Sequence, residues 1–302
     1  MSGLRQVMRD AAARLAEAGV PSPDADVVEL VSFVIRIEPS EVRRRMIVGA
    51  ELTAAQEDRL GDLIEGRSHR IPLQHLTGRA YFRHLTLQVG PGVFVPRPET
   101  EMVAGLAIEA ARAAGPAPVV VDLGTGSGAI ALAVADEVPA ARVYAVELSD
   151  LAVAWARRNV EALGSPVELR QGEAAAAFPE LEGGVDVVVS NPPYIPAGQV
   201  PVDPEVRDHD PELALYGGSA DGLTIPLAVA ARAARLLRPG GVFVMEHADT
   251  QGEALVRVLR RESDSTPSRC HRWVDVVDHL DLTGRPRAVV ARRAAGEGQA
   301  GC

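Results

Sequence analysis

The stretch Ser190-Asn191-Pro192-Pro193-Tyr194-Ile195 follows the apolar run Val185-Asp186-Val187-Val188-Val189 and must end the strand that run predicts. Proline drives the residue before it into extended φ/ψ, so Pro192 holds Asn191, Pro193 holds Pro192, and the corner is rigid. The Asn191 side-chain oxygen and the Pro192 carbonyl can each accept a hydrogen bond, a matched pair for the two hydrogens of one NH2 group. Tyr194 can pack over the planar group that carries them. The bland alternative is a proline turn that only closes a strand.

A second constellation precedes it. "VVVDLGTGSGAIALAVA" reads as a buried strand, a glycine turn and a helix, the arrangement in which a ligand meets backbone N–H groups at a helix N-terminus. Gly124, Gly126 and Gly128 let the chain turn sharply and approach a ligand closely, with Thr125 and Ser127 completing the loop. About 20 residues on, Glu147 ends the next strand, where a carboxylate can accept hydrogen bonds from both hydroxyls of a ribose. Together these describe an adenosine site. The loop also satisfies the GxGxxG/A dinucleotide pattern, and a tight turn without any ligand is its structural alternative, so the loop alone does not choose the cofactor.

These residues need a scaffold that brings strand ends together. Residues 119–123, 142–148, 167–171, 185–190 and 241–246 read as strands, and 129–137, 151–163, 223–237 and 252–261 as helices between them. Such alternation predicts an α/β fold, a mainly parallel sheet with helices on both faces, in which the fourth strand ends beside the first. "WVDVVDHL" and "RAVVARR" follow with little helix between them, an antiparallel final pair. Upstream, helical spacing over residues 4–15, 24–37, 39–48 and 53–69, with Thr53 as an N-cap, predicts a helical domain over 1–78. Residues 81–95 alternate around Gly90-Pro91-Gly92, the pattern of a hairpin or two short strands; 79–97 read as a β-hairpin linker, 98–293 as the sheet domain, and 294–302 as a disordered tail.

Composition excludes several chemistries. The chain has 302 residues, and all 31 of its basic residues are arginine, which removes Schiff-base and P-loop lysines. The two cysteines, Cys270 and Cys302, form neither a disulfide framework nor a CxxC pair, and the seven histidines lack metal-ligand spacing, so no metal is expected. Net charge is −10; residues 1–80 carry 11 arginines against 12 acids, leaving 20 against 29 beyond. That balance lowers the expectation of a nucleic-acid substrate. Arg43-Arg44-Arg45 spreads around a helix and reads as a solvated face. No apolar run approaches the roughly 18 residues of a membrane helix, and a cytoplasmic protein with no membrane partner is expected.

The Asn-Pro-Pro-Tyr corner after a fourth strand, with the glycine loop and Glu147, resembles the class I S-adenosylmethionine-dependent methyltransferases that modify planar nitrogens. Their cofactor is S-adenosyl-L-methionine, and their sheet is the Rossmann-like seven-stranded one. "PLQHLTGRAYFRHLTLQVGPGVFVPRPETE", "SNPPYIP", "EVRDHDPELALYGGSADGL" and "LLRPGGVFVMEH" are similar, in order, to the release factor glutamine methyltransferases. The resemblance implies transfer of a methyl group to the side-chain amide nitrogen of the Gly-Gly-Gln glutamine in class I peptide chain release factors, with the helical domain recognising that substrate. An amide nitrogen is a poor nucleophile because its lone pair is delocalised; two acceptors on its hydrogens orient it toward a methyl donor, the kind of positioning that supplies up to about 7–11 kcal/mol.

The resemblance implies roles residue by residue. Asn191, Pro192, Pro193 and Tyr194 would hold the reacting amide, with Asn191 also near the cofactor. Gly124 to Gly128, Glu147, Glu173 and Ala174 would hold the cofactor; where relatives place a bulky residue near adenine, this chain has Ala174. Arg97 and Glu99 of "PRPETE" would face the substrate, although Pro98 at a first helical position with Glu99 and Glu101 behind it is also an ordinary helix start. An adenine-N6 or other nucleic-acid amine methyltransferase sharing the corner, and a cofactor-binding protein without catalysis, are the competing readings.

Overall fold

Apolar residues at helical spacing build a first, helical unit. Leu4, Met8, Ala11 and Leu15 form the buried face of α1 (Leu4–Glu17), which packs with α2 (Pro23–Ile35), α3 (Pro39–Ile47) and α4 (Ala54–Ser68) around Leu30, Val31, Val42, Leu60 and Ile64. Thr53 caps α4 in a full capping box: its hydroxyl accepts from Gln56 N, and the Gln56 side chain accepts from Thr53 N. A short α5 (Leu73–Thr77) ends on Gly78 at φ 69°. The arginines at 43–45 are exposed.

The computed structural model describes residues 3–265 and 273–295, and its contacts divide the chain into two units. The helical unit is discontinuous: Met1–Arg79 is joined by Val89–Pro91 and Pro201–His209. The last segment carries a six-residue helix, α9 (Pro204–His209), whose Glu205 is buried. Arg67 bonds Asp26 at 2.7 Å and Glu205 at 2.7 Å, and Arg70 bonds Glu205 at 2.5 Å. All but the first two residues of the expected tail, and the pair Cys270-His271, lie outside the described residues.

The second unit opens on a hairpin of β1 (Arg79–Phe82) and β2 (Leu85–Gln88). Its turn lies at Arg83-His84, not at Gly90-Pro91-Gly92 as the alternation suggested. Arg83 adopts φ 53°, a left-handed conformation that disfavours a side chain. Its N–H donates to Glu101 Oε1 at 3.1 Å and its guanidinium pairs with Glu137, long-range bonds that hold the turn where local sequence would not.

From there α6 (Pro98–Ala114), β3 (Val119–Leu123), α7 (Ala129–Glu137), β4 (Arg142–Glu147), α8 (Asp150–Ala162), β5 (Glu168–Gln171), β6 (Val185–Ser190), α10 (Thr224–Leu236), β7 (Leu237–Glu246), α11 (Gly252–Ser265), β8 (Trp273–Leu280) and β9 (Pro286–Arg293) follow in chain order. The seven strands from β3 to β9 form one sheet in the order β5-β4-β3-β6-β7-β9-β8. β3 to β7 are parallel, and β9 is antiparallel to both β7 and β8, as expected for the final pair. The central strands are valine-rich and buried on both faces, the pattern of a parallel sheet covered by helices. This is the expected Rossmann-like seven-stranded architecture, and the fourth of its strands, β6, does lie beside the first, β3.

Candidate active site

The glycine loop leaves β3 at Leu123 and enters α7 at Ala129. Gly124, Gly126 and Gly128 take φ of 79°, 58° and 89°, which only glycine adopts freely. A Cβ added at Gly124 or Gly126 would meet nothing within 4 Å, so the protein leaves space on that side. The loop is folded by its own hydrogen bonds. Gly124 N and Thr125 N both donate to Val146 O at 2.9 Å, Gly126 N donates to Glu147 Oε2 at 2.8 Å, and Gly128 N donates to Thr125 O at 2.9 Å. These four amides therefore do not face a ligand, contrary to the simple reading of a glycine turn as an anion cradle. That suits a cofactor without phosphates better than a dinucleotide, whose pyrophosphate needs such donors.

Inside the loop sits Asp122, fully buried at 0% exposure. Its Oδ2 accepts from the Thr125 hydroxyl at 2.6 Å and from Ala131 N at 3.2 Å, while Oδ1 has no partner. Burial pushes its carboxyl up to about 7, against the pull of those two donors. The Thr125 side chain is thus turned inward, and Ser127 is buried with its carbonyl bonded to Asn159. Glu147, half-buried at the end of β4, accepts one N–H on each oxygen, from Gly126 and from Ser149 at 2.9 Å. An ionised carboxylate offers about four lone pairs, so each oxygen keeps one for a hydroxyl pair. Gly172 N donates to Glu147 O, bringing exposed Glu173 and half-buried Ala174 to the same sheet edge. Open glycine backbone, an anchored carboxylate and a second acid along one edge fit an adenosyl group.

The corner emerges beside this loop because Ser190, the last residue of β6, donates its hydroxyl to Leu123 O at 2.6 Å. Asn191 is half-buried, and its Nδ2 donates to Thr100 Oγ1 at 3.2 Å. Among the described residues no hydrogen bond forms at its Oδ1. Pro192 is buried; Pro193 and Tyr194 are partly open. The Tyr194 hydroxyl reaches inward to Glu246 Oε1 at 3.3 Å, and burial with the field of Glu246 raises the phenol's pKa far above its usual range, keeping it neutral.

Behind the corner a backbone strut fixes its course. Ile195 N donates to Leu215 O at 2.8 Å and Gly217 N to Ile195 O at 2.9 Å. Gln251, buried, donates its amide to both Tyr194 O and Asp221 O at 2.8 Å. Gly222 is obligatory here: at φ 73°, a Cβ would lie 2.1 Å from Tyr194 O.

The "PRPETE" segment divides by role. Arg97 bonds Asp210 at 2.5 Å, a buried carboxylate, and covers the Phe94 ring at 5.1 Å. Pro98 is the first residue of α6 and Glu99 is exposed in its first turn, as a helix start requires. Thr100, buried two residues on, is the one that touches Asn191. Thr100, Glu246, Gln251, Gly222 and Asp122 were not singled out by sequence reasoning. Thr100, Glu246, Gly222 and Asp122 lie inside motif-bearing stretches and Gln251 just beyond one, but only folding reveals which residues meet the corner. Among the described residues no three His, Cys, Asp or Glu side chains are grouped to hold a metal, and no helix is long and apolar enough to cross a membrane.

Residues 6–78 match the family description "PrmC N-terminal domain" and residues 85–203 "Methyltransferase small domain". The chain is 52% identical over 97% of its length, and 99% of the relative's, to the release factor glutamine methyltransferase of Streptomyces coelicolor. It is 42% identical over 95% of its length, and 99% of the relative's, to that of Bifidobacterium longum. A methyltransferase from Pyrococcus furiosus with a crystal structure is similar over 70% of this chain and 91% of that one, at 20% identity and a TM-score of 0.49. With identity this high over nearly the whole of both chains, and the motifs in the same order, the chain belongs to the release factor glutamine methyltransferase family.

Proposed function

We propose that this chain transfers a methyl group from S-adenosylmethionine to the side-chain amide nitrogen of the glutamine in the Gly-Gly-Gln motif of class I peptide chain release factors. The observation that carries the reading is the acceptor left open at the corner. Asn191 is anchored through its Nδ2, and its Oδ1 forms no hydrogen bond among the described residues.

S-adenosylmethionine, when bound, supplies an electrophilic methyl carbon. The chain's residues do the rest by position. Glu147 takes the ribose hydroxyls, with Glu173 on the neighbouring strand end, and the backbone at Gly124 and Gly126 admits the cofactor closely because no Cβ fills that space. Asn191 Oδ1 and the Pro192 carbonyl accept the two hydrogens of the glutamine NH2, so that its lone pair points away from both. The rigidity of two successive prolines, with the Gln251 clamp on Tyr194, keeps those acceptors from following the substrate as it moves. Tyr194 offers its ring to the planar amide while its hydroxyl stays with Glu246. Arg97 contributes by holding Asp210, and Glu99, exposed in the first turn of α6, is the acid of that segment left to meet the substrate.

The helical unit, residues 1–78 by the sequence, is read as the part that recognises the release factor, with 79–97 as a linker and 98–293 as the methyltransferase domain. A release factor substrate supports a cytoplasmic location. The test is transfer of a labelled methyl group to unmodified release factor, with DNA and RNA as parallel substrates. Label on the release factor supports the reading; label only on nucleic acid overturns it.

A further inference from the structure

Asn159 is a buried amide on a face of α8 that is otherwise apolar: Ala152, Val153 and Ala156 are its buried neighbours on the helix, and Asn159 itself is 1% exposed. Its side chain bonds only main-chain groups. Oδ1 accepts from Gln88 N at 2.7 Å, while Nδ2 donates to Gln88 O at 3.0 Å and to Ser127 O at 2.9 Å. An N–H can be met only by the oxygen of an amide and a carbonyl only by its nitrogen, so these three partners fix which way the group faces. One side chain therefore ties the end of β2 to the glycine loop.

What it holds in the loop is a single peptide unit. The Ser127–Gly128 peptide has its carbonyl on Asn159 and its N–H on Thr125 O at 2.9 Å. In a trans peptide those two groups point to opposite sides, so the pair of bonds resists rotation of the plane. Such a rotation changes ψ of the residue before the bond and φ of the residue after it, and Gly128, now at φ 89°, is the one residue type that accepts either sign. Ser127 is only 2% exposed, and a carbonyl left there without a partner is costly, so loss of Asn159 favours the rotated peptide. That rotation breaks the turn closed by Gly128 N and Thr125 O. The same turn carries Gly126, whose N–H donates to Glu147 Oε2 at 2.8 Å. Asn159 thus secures the backbone that anchors the carboxylate assigned to the ribose.

We propose that Asn159 is a positioning residue of the cofactor site: by locking the Ser127–Gly128 peptide it keeps the Gly126 amide on Glu147 and so aims that carboxylate at the ribose hydroxyls. This rests on the reading that Glu147 takes those hydroxyls. The experiment measures S-adenosylmethionine affinity by calorimetry, thermal midpoint and KM for release factor at saturating cofactor. It compares the full chain with its Asn159→Ala, Asn159→Asp, Glu147→Ala and Asn159→Ala/Glu147→Ala variants. Asn159→Asp keeps the acceptor for Gln88 N but, when ionised, has no hydrogen for the Ser127 carbonyl, so it removes the loop bond with little change of shape. Both Asn159 variants should bind S-adenosylmethionine about tenfold more weakly, the equivalent of one hydrogen bond, with KM for release factor unchanged. The double variant should bind no more weakly than Glu147→Ala, because both substitutions act on one contact. Wild-type affinity in folded Asn159→Ala or Asn159→Asp, with only a lower thermal midpoint, would reduce Asn159 to a packing role and overturn the proposal. Losses that multiply in the double variant would overturn it as well, by separating Asn159 from Glu147. Should Asn159→Ala fail to fold, the affinity of Asn159→Asp decides. Because the readout is cofactor binding, a wild-type chain that binds S-adenosylmethionine and leaves release factor unmodified strikes the functional reading alone, whereas one that does not bind it overturns both.

Discussion

The helical unit and the sheet unit both bury carboxyl groups, on opposite terms. In the helical unit, burial alone would raise the Glu205 carboxyl, but hydrogen bonds from Arg70 and Arg67 hold it well below the usual range. In the sheet unit, burial pushes Asp122 and Glu246 up to about 7, with one oxygen of each left without a partner. A carboxylate wrapped in guanidinium groups is fully compensated and serves the fold. A buried acid with a vacant oxygen is a cost that the fold does not require, and Asp122 and Glu246 lie at the ends of the strands that lead into the glycine loop and flank the Pro-Pro corner. The contrast is between a carboxylate compensated by two guanidinium groups and carboxyl groups that keep a vacant oxygen.

Breaking the compensated group should have the largest effect. Glu205→Ala leaves Arg67 and Arg70 without their shared carboxylate and should cost about 3–5 kcal/mol, read as a lower midpoint in urea denaturation. Cofactor affinity of the folded fraction should not change. Next, Asn191→Ala should lower turnover about 10²- to 10³-fold, comparable with losing one preorganised partner of a reacting group, with near-normal cofactor binding by calorimetry. A matching loss of affinity would assign Asn191 to the cofactor as well. Glu147→Ala should weaken S-adenosylmethionine binding about 10- to 100-fold, the range for hydrogen bonds to a charged group; a loss confined to turnover would contradict the ribose assignment.

The smallest effect is the dependence on pH, and its sign differs between the two regions. Glu205 has a lowered carboxyl pKa, so its contribution is present above the ordinary value of 4.5 and is lost as pH falls below it. Glu246 has a raised one, so the folded state binds the extra proton between 4.5 and about 7, and its contribution to stability declines as pH rises through that window. Thermal midpoints should therefore favour Glu246→Gln over wild type more at pH 8 than at pH 5. A difference that narrows with rising pH would place Glu246 among the compensated acids.

What was legible in the sequence follows from where the determining contacts lie. Glycine and proline act on their own backbone, so the loop at Gly124 to Gly128, the rigid corner at Asn191 to Tyr194 and the Thr53 cap could be read from neighbouring residues. Valine-rich runs separated by amphipathic helices gave the parallel sheet for the same reason. The hairpin turn could not be read, because Arg83 holds its left-handed conformation through Glu101 and Glu137. The loop's amides were assigned to a ligand because nothing local says that Val146 and Glu147 accept them. Thr100 and Glu246 lie 91 residues before and 52 residues after the side chains they bond, and no spacing rule connects them. The α9 segment reads locally as part of the sheet domain's loop, and long-range contacts, from Arg67 and Arg70 to Glu205 and from His75 to His209, join it to the helical unit.

The central claim is that the corner at Asn191 aims a glutamine amide. Its most direct test is peptide mass spectrometry of an unmodified class I release factor after incubation with the purified chain and S-adenosylmethionine. The account predicts one added methyl group, on the side chain of the Gly-Gly-Gln glutamine, and none when the chain carries Asn191→Ala. An unmodified glutamine despite measured cofactor binding, or a methyl group on any other residue, would contradict it.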